Sequence, residues 1–573
     1  MGTRSSWGLM PRACLQPIIK IAVWRISSFR RLAACAAGQV LLFGFAHGVQ
    51  ALGQASPEVS EETADAGRGR ILLVQPFDNR TSQPSLDWVR EAAAEVLSSR
   101  FTSAGFAPLS REDRVYALDH LGLPEGFQPS RASSLKLAQT LDADSIVVGS
   151  YVTDGTSLVA FARVVDVAHL RMSDEVSVRG EMHDLIAVFD SLAWKVTREL
   201  DPGFSGSEET FVAAGRGARL DAFEQYIRGI TEPDHDERLR HLNNAVALNP
   251  GFGPAWMAMG REDYAGQQYE EATAAFAKVG RNDPDALEAG FYRGLSLLFS
   301  GSYPQAEAAF KSVAMVLPLA EVLNNEGVAV SREGRDGSAE FVAAETADPN
   351  QADYHFNLAV SLKRRGETSA AIAELGQCLK LRPNDSEALE LQKEWRGPAA
   401  TVRTVADGGT DAASNPDPLE RIVRTFDAVA FRQAAGMMDQ MEAARLAELS
   451  PHDRAVKLVV QAKDYLDRGL LLEAERLYQT AVATDGSVAE AHAGLAEVRE
   501  RSGDSASART EAKAALELKP LAEAYLVLGR LDLAANHLDD ASKEAGEALK
   551  LDPGNGGAQD LSRQIELKTS GKL

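Results

Sequence analysis

Few residues of this chain have types and spacing that could do chemistry. Asp234, His235, Asp236 and Glu237 place three carboxylates beside an imidazole, and such oxygen and nitrogen donors can bind a metal ion. They follow Pro233 in a polar loop, so a solvated turn that begins a helix is the favoured interpretation. The sequence has no Walker loop, no His-Glu-x-x-His, no cysteine pair with metal spacing and no Gly-x-Ser-x-Gly elbow. We therefore predict no catalytic residues, no cofactor and no metal.

Cys378 is the thiol that remains if the first part of the chain is removed, because the other cysteines are Cys14 and Cys35. No disulfide within the mature chain is then possible. Cys378 lies one helical turn after Leu375 on a predicted helix. A small buried hydrophobic residue is the favoured interpretation, and a reactive thiol is the alternative.

A short pattern recurs with a period near 34 residues from Trp256 almost to the C-terminus. In its first copy, Gly260, Ala272, Phe276 and Pro284 stand at offsets 0, 12, 16 and 24. Five further copies keep a small residue first, Ala second and usually Pro last; they begin at Gly294, Ala359, Ala462, Ala496 and Gly529. Small residues let two helices approach closely, and Pro ends a helix because it lacks an N–H. The pattern suits helices that pack closely and end at the proline.

These residues resemble the tetratricopeptide repeat, in which two helices are joined by a tight turn. Glycines seven residues after the first offset suit that turn, where positive φ is useful; they are Gly301, Gly366, Gly469 and Gly503. Residues 221–250 fit the repeat loosely, and Gly327 begins a shortened copy. Residues 558–567 could form a capping helix over the last exposed apolar face. The resemblance implies an all-α solenoid with a concave surface open to other polypeptides.

The resemblance also indicates which side chains face that surface, because certain positions of the first helix usually do. The residues so predicted to line the groove of the first block are Tyr264, Phe291, Leu295, Leu298, Phe299, Val328, Phe356 and Val360, bordered by Lys363 and Arg364. Our hypothesis is that this groove binds an apolar helix or an extended segment of a protein partner. The alternative is that these side chains pack within the array or under residues 396–418.

The second block offers mostly charged groups at the same positions, namely Lys463, Asp467, Glu497, Glu500 and Arg501. The clamp of two lysines and two asparagines that binds C-terminal carboxylates in some repeats is absent. Asn325 and Asn357 occupy equivalent positions, but Asn is ordinary there in the repeat. The sequence therefore assigns no role to these two asparagines.

The N-terminal region is basic and free of acidic residues before Glu58. Arg25, Arg30 and Arg31 precede an apolar stretch over residues 32–51, and small residues follow it. This order is typical of an export signal, with cleavage expected between Ala51 and Ser56. A retained membrane anchor is the alternative, since about 20 apolar residues can just span a bilayer.

A mixed domain is predicted between residues 70 and 203. The expected strands cover residues 71–74, 145–151, 157–167 and 172–179, and the expected helices cover 86–101, 132–141 and 185–200. The segments Val74–Asn79, Leu86–Trp88, Leu109–Arg111, Ala143–Tyr151 and Arg163–Asp166 resemble those of the TolB-like amino-terminal domain. In many bacterial proteins that domain directly precedes tetratricopeptide arrays. The resemblance implies a small α/β domain of envelope-associated or regulatory proteins, without catalytic residues.

The predicted fold class is α+β, a small mixed α/β domain followed by an all-α tetratricopeptide solenoid in two blocks. The predicted order is an export signal or anchor (1–55), a linker (56–69), the TolB-like domain (70–203), a linker (204–219), the first block (220–395), a linker (396–418) and the second block with its capping helix (419–573). The formal charge of −22 argues against nucleic-acid binding, which depends on neutralising phosphates.

The predicted function is a non-enzymatic protein-interaction scaffold of the bacterial cell envelope. We expect it to be periplasmic or secreted, or else anchored in the inner membrane through the N-terminal segment and facing the periplasm. The alternative is an envelope sensor whose α/β domain binds a small ligand or envelope component, which a pocket lined by polar groups would favour. An enzyme would need a convergent acid, base or nucleophile set that the sequence does not show.

Overall fold

The computed structural model describes residues 71–216, 218–397 and 418–570. The predicted export signal, the first linker and nearly all of the linker at 396–418 lie outside these ranges. The described chain forms two compact units: one spans Trp256–Ala435, and the other combines residues 71–255 with residues 436–570. The units differ from the predicted blocks, since residues 220–255 group with the sheet domain and residues 418–435 group with the first repeats.

The sheet of the first domain has seven strands. They are β1 (Ile71–Val74), β2 (Asp78–Asn79), β3 (Ala107–Pro108), β4 (Ser145–Asp154), β5 (Ser157–Asp166), β6 (Arg171–Met172) and β7 (Val176–Glu181). β1 lies parallel between β3 and β4, and β2 also pairs parallel with β4. β4 and β5 form an antiparallel hairpin, and β5 pairs antiparallel with β6 and β7. The predicted mixed sheet is confirmed; its two-residue strands are too short to show a period.

Four helices accompany the sheet: α1 (Val89–Ser103), α2 (Arg111–His120), α3 (Arg131–Thr140) and α4 (Leu185–Leu200). Phe77, just after β1, packs edge-to-face on Phe189 of α4 with ring centroids 5.9 Å apart, and both rings are fully buried. Helix α2 was not predicted. It begins with a capping box in which Ser110 accepts from the Asp113 N–H and the Asp113 carboxylate accepts from the Ser110 N–H.

The stretch predicted as a linker at 204–219 contains a helix, α5 (Glu208–Ala214). Its Phe211 is fully buried and packs edge-to-face on Phe204, with centroids 5.6 Å apart. Helix α5 was not predicted because its apolar residues are too few to show a helical period. Helices α6 (Leu220–Thr231) and α7 (His235–Leu248) follow, and the Tyr226 hydroxyl lies 3.4 Å from a Glu95 carboxylate oxygen on α1.

Paired helices make up the unit that spans Trp256–Ala435. They are α8 (Gly253–Ala265), α9 (Tyr269–Phe276), α10 (Ala286–Phe299), α11 (Tyr303–Ala314), α12 (Ala320–Arg332), α13 (Ser338–Ala347), α14 (Ala352–Arg364), α15 (Thr368–Leu381) and α16 (Ser386–Arg396), and α17 (Ala428–Ala447) begins there. A Cβ added at Gly260 would lie 2.6 Å from the Phe276 ring, and one at Gly294 would lie 2.6 Å from the Phe310 ring. The predicted close approach of paired helices is confirmed.

Seven helices form the later repeats: α18 (Pro451–Asp467), α19 (Leu471–Thr484), α20 (Ala489–Ser502), α21 (Ser505–Leu518), α22 (Ala522–Ala534), α23 (Leu538–Leu551) and α24 (Gly556–Thr569). The predicted cap lies within α24. The turns predicted at Gly469 and Gly503 have φ of 81° and 91°. Across the described ranges, none of the helices is both long enough and apolar enough to cross a bilayer.

Candidate functional site

An extended stretch of the chain's own backbone, residues 418–427, lies along the repeats of the unit that spans Trp256–Ala435. We call it the groove segment. It contacts side chains of α10, α12 and α14 and the start of α16, and we call the surface formed by these side chains the groove. The predicted binding surface is therefore occupied by the chain itself.

Two asparagines bind the main chain of the groove segment. The Asn325 side-chain amide donates to the Val423 carbonyl at 2.8 Å, and the Val423 N–H donates back to Asn325 Oδ1 at 3.0 Å. The Asn357 side-chain amide likewise donates to the Arg421 carbonyl at 2.8 Å, and the Arg421 N–H donates to Asn357 Oδ1 at 2.6 Å. Each primary amide thus satisfies both backbone groups of one residue, as a neighbouring β-strand would.

A third asparagine fixes this pair. Asn357 Nδ2 donates to Asn324 Oδ1 at 2.8 Å, and Asn324 Nδ2 lies 3.1 Å from the Arg421 carbonyl and 3.2 Å from Asn325 Oδ1. All three asparagines are fully buried. Because each amide is held by its neighbours, the groove presents a set of donors and acceptors at fixed spacing.

The Arg421 side chain enters an acidic pocket over an aromatic ring. Its guanidinium carbon is 3.6 Å from the centroid of the Phe356 ring. Its nitrogens lie 2.6 Å from Asp385, 3.0 Å from Asp353 and 3.0 Å from Glu387. The hydrogen bond from Arg421 holds the pKa of Asp385 below its usual value. The pocket therefore combines three carboxylates with a cation–π contact.

The neighbouring Glu420 lies in a pocket of opposite charge. Its carboxylate is fully buried and pairs with Arg364, while Arg332 Nε is 3.4 Å from the other oxygen. Arg364 also donates to the Pro418 carbonyl at 2.9 Å. Adjacent residues of the groove segment thus occupy a basic pocket and an acidic pocket.

The other end of the groove segment is apolar. The Phe426 ring packs on Phe291, with centroids 5.6 Å apart, and Ile422 packs against the same buried cluster. Beyond Phe426, the Asp427 N–H donates to Glu321 Oε1 at 3.2 Å. Burial raises the pKa of Glu321 to about 7.

The predicted groove residues lie largely beneath or beside this segment. Five of them, Phe291, Leu295, Val328, Phe356 and Val360, have at most 1% of their surface exposed, and Leu298 has 5%. Tyr264 and Phe299 are half-buried, and the Arg424 guanidinium lies 5.1 Å from the Phe299 ring. Arg364 contacts the segment, whereas Lys363 lies 5.5 Å from the Trp395 ring and donates to Thr368. The alternative expectation was a cover formed by residues 396–418, whereas the described cover is formed by residues 418–427.

The residues that bind the main chain were missed. Asn325 and Asn357 occupy equivalent positions of consecutive first helices, but Asn is common there, so nothing in the pattern distinguished them. Asp353 and Asp385 are single acidic residues at a helix start and a helix cap. Their convergence depends on Arg421, which lies 36 residues after Asp385 in the chain.

One buried histidine could suggest a metal site. His355 Nδ1 is 2.8 Å from Glu374 and 3.8 Å from Glu345, and its Nε2 is 3.1 Å from the Pro349 carbonyl. The same arrangement recurs at His492, with Glu511 at 2.7 Å and the Gly486 carbonyl at 3.3 Å. Its recurrence at the same repeat position identifies a hydrogen-bonded clip between helices.

The residues singled out for chemistry have structural roles. Asp234 caps helix α7 by accepting from the Glu237 N–H at 3.0 Å, as the favoured interpretation requires. Cys378 is fully buried, and burial raises the pKa of its thiol to about 11. The buried-hydrophobe interpretation of Cys378 is confirmed.

The sheet domain contains a cavity of about 420 Å³ beside β1 and α3. Its lining includes Gln75, Asp78, Arg80, Arg90, Arg131 and Ser134. The Ser134 hydroxyl donates to Gln75 Oε1 at 3.1 Å, and within the described ranges Gln75 Nε2 has no hydrogen-bond partner. Three arginines against one aspartate make the wall of this cavity cationic.

Comparison with known proteins identifies the repeats. Tetratricopeptide repeat models match residues 257–315, 352–385 and 459–523. Anaphase-promoting complex subunit 3 of Schizosaccharomyces pombe is 30% identical over 90 residues, which are 16% of this chain and 14% of that protein.

Two solved structures are also similar. "YrrB: a TPR protein with an unusual peptide-binding site" is 17% identical with a TM-score of 0.27, over 35% of this chain and 99% of that chain. The LpoB C-terminal domain from Escherichia coli is 20% identical with a TM-score of 0.18, over 20% of this chain and 84% of that chain. The chain contains tetratricopeptide repeats, which generally serve as protein-interaction scaffolds and are generally non-enzymatic.

Proposed function

We propose that this protein is a non-enzymatic scaffold that binds an extended segment of a partner protein in the groove. The observation that carries this proposal is the pairing of Asn325 and Asn357 with the backbone groups of Val423 and Arg421. Backbone groups are the same in every polypeptide. A surface that binds them in an extended stretch is therefore able to accept a segment of another chain.

The physical basis is the cost of burying a main chain. An N–H or C=O removed from water without a partner costs roughly 1 to 3 kcal/mol, and the groove supplies partners at two alternate residues. A partner segment gains those hydrogen bonds together with apolar burial against Phe291 and its neighbours. Because the groove segment already makes these contacts, a partner must compete with it.

We place this scaffold in the bacterial cell envelope. The support is the basic, acid-free N-terminal region followed by an apolar stretch, and the segments that resemble the TolB-like domain. Fractionation of cells that express the full chain tests the location, with N-terminal sequencing of the recovered protein. A mature N-terminus between Ala51 and Ser56 is expected, and an uncut protein in the cytosol would contradict the proposal.

Affinity capture followed by mass spectrometry tests the groove. Three baits are compared: a chain in which residues 419–427 are replaced by glycine and serine, the same chain with Asn325→Ala and Asn357→Ala, and the unmodified chain. Proteins that bind the first bait and are lost from the second are groove partners. If the two asparagine substitutions change nothing in the captured set, the groove is not the partner site.

A sensor is a second candidate function, favoured by the cationic cavity in the sheet domain. Arg90 is already oriented, because its Nε donates to the Phe77 carbonyl at 3.3 Å. Small anions are the ligands that such a wall would attract. Thermal unfolding of the mature chain with added phosphate or citrate tests this. A rise in unfolding temperature that disappears in Arg131→Gln supports a sensor, and no rise with either anion removes the reason for it.

A further inference from the structure

We infer that the partner segment carries the side-chain order of the groove segment: an acidic residue, then arginine, then an aliphatic residue, with an aromatic residue five positions after the arginine. In this chain those residues are Glu420, Arg421, Ile422 and Phe426. The groove segment is then a built-in competitor that must leave before the partner binds. This inference rests on the proposed function and specifies the partner of that same site.

The acidic pocket selects arginine. Asp385 accepts from both terminal nitrogens of one planar guanidinium; Nη1 also donates to Asp353 and Nη2 to Glu387. The same guanidinium lies on the face of Phe356. Lysine offers a single charged nitrogen and no plane, so it cannot match this set of contacts. Of the three carboxylates only Asp385 is buried, and a segment without arginine here would leave it with Arg382 at 3.5 Å as its nearest cation.

The basic pocket next to it fixes the direction and register of the segment. Glu420 is enclosed by Arg332 and Arg364, immediately before the acidic pocket that holds Arg421. A segment shifted by one residue would bring like charges together in a place from which water is excluded. Such repulsion discriminates between segments more strongly than the attraction does.

The apolar end gives the pattern its length. An extended chain advances about 3.3 Å per residue, so a residue five positions after the arginine lies at most about 17 Å along the groove. There Phe426 meets Phe291 of α10, two helix pairs before the acidic pocket on α14. The recognition pattern therefore spans the first helices α10, α12 and α14 and reaches the start of α16.

Covalent attachment makes the groove segment a strong competitor. A tethered segment acts at an effective concentration of about 1 mM, well above that of an ordinary partner. The apparent affinity for a free segment is the affinity of an empty groove multiplied by the fraction of grooves that are empty. Replacing the tethered segment should therefore increase the affinity for the same sequence supplied as a peptide.

Fluorescence anisotropy with a labelled peptide of residues 418–432 tests the inference on the full mature chain. We expect the peptide to bind the chain with residues 419–427 replaced by glycine and serine at least about 100-fold more tightly than it binds the unmodified chain. The peptide with Arg421→Ala should bind the replaced chain at least about 10-fold more weakly, and Arg421→Lys should not restore binding.

A double-mutant cycle locates the contact. Asp385→Ala in the replaced chain should weaken binding of the peptide that contains Arg421 and have little effect on binding of the Arg421→Ala peptide. Lys463→Ala, an exposed lysine of the later repeats, serves as the matched control and should change neither. If the replaced chain is unfolded by circular dichroism, Arg421→Ala in the otherwise unmodified chain takes its place. Because the Arg421→Ala substitution weakens the tethered competitor, this variant should bind the free peptide more tightly than the unmodified chain does.

Several results would overturn the inference. Absence of peptide binding to the folded replaced chain, or equal binding by the arginine and alanine peptides, rejects the side-chain order. Equal binding by the replaced and unmodified chains rejects the competitor. Capture of the unmodified chain as a dimer by the replaced chain identifies a second copy as the occupant instead. If captured partners depend on Asn325 and Asn357 but the peptide does not displace them, the inference fails and the proposed function stands.

Discussion

Two connecting segments of this protein dock on helical repeats of their own unit by different physical means. The groove segment is extended and is bound through its main chain by Asn325 and Asn357. The other, residues 205–216, contains helix α5 and docks on α19 and α20. A helix bonds the backbone groups of its interior within itself, so a docked helix is recognised through its side chains and its unsatisfied ends.

The contacts of residues 205–216 follow that rule. Phe211 is fully buried, the Thr210 and Ser502 hydroxyls are 3.1 Å apart, and Arg216 donates to the Ser502 carbonyl at 2.9 Å. The Ser207 N–H, at the helix start, lies 3.3 Å from a carboxylate oxygen of Glu475, which pairs with Arg499 at 2.8 Å. Burial raises the pKa of Glu475.

Under the proposed function, residues 205–216 form a permanent joint and the groove segment forms an exchangeable one. Side-chain docking of a helix depends on residues of this chain alone, whereas an extended main chain can be replaced by that of another protein. We therefore expect substitutions at residues 205–216 to reduce stability, and substitutions at the groove segment to change access to the groove as well.

The largest effect is expected for Phe211→Ala. Removal of a fully buried ring leaves a cavity beside Phe204, and we expect a loss of about 3 to 5 kcal/mol in the free energy of unfolding. Urea unfolding followed by near-UV circular dichroism measures it. Val212→Ala, at a half-buried neighbour, is the control. A loss below about 1 kcal/mol would show that α5 is not a fixed joint.

The next effect is expected for Asn325→Ala combined with Asn357→Ala. Both backbone groups of Val423 and the Arg421 N–H lose their partners, whereas the Arg421 carbonyl keeps Asn324 Nδ2 at 3.1 Å. We expect about 3 kcal/mol less stability together with release of the groove segment. Trypsin should then cut after Arg421 and Arg424, and we expect it to cut there slowly in the unmodified chain. Asn243→Ala, whose amide donates only within its own helix, is the control. Unchanged cleavage would argue that side chains alone hold the segment.

A pH dependence is expected at the groove because the pKa of Glu321 is raised from its usual 4.5 to about 7 by burial, with Asp427 and Asp348 nearby. The folded protein binds the Glu321 proton more tightly than the unfolded chain does. The resulting stability is fully present below pH 4.5 and is lost as the pH rises through 7.

Glu321→Gln should therefore remove about 2 to 3 kcal/mol of the stability difference between pH 5 and pH 8. Urea unfolding at both pH values measures it. The hydrogen bond that His355 donates to Glu374 raises the pKa of His355, which gives the same sign, but that contribution is present in both proteins and cancels in the comparison. Identical pH profiles would show that Glu321 is not coupled to folding.

The smallest effect is expected away from both joints, at Gln267. It occupies a repeat turn with φ of 61°, where the equivalent Gly301 has φ of 77°. Gln267→Gly should raise stability by about 0.5 to 1 kcal/mol without changing trypsin cleavage after Arg421. A change in that cleavage would show that the groove segment responds to stability in general.

The sequence predicted what depends on periodic patterns. The offsets of Gly260 and Phe276 predicted a close contact of paired helices, and the alternating residues around β5 predicted a hairpin. It could not predict the docked segments. Helix α5 is too short for a period, and the groove segment has no regular structure of its own. Its place depends on Asn325, Asn357 and Asp385, three residues distant in sequence that converge only after the repeats stack.

Hydrogen exchange at the Arg421 and Val423 amides tests the central claim most directly. In the unmodified chain we expect both amides to exchange about 100-fold or more slowly than an unstructured peptide, because they donate to Asn357 and Asn325. The protection should disappear in the variant with Asn325→Ala and Asn357→Ala. Exchange at the unstructured rate in the unmodified chain would contradict the claim that the groove binds an extended main chain.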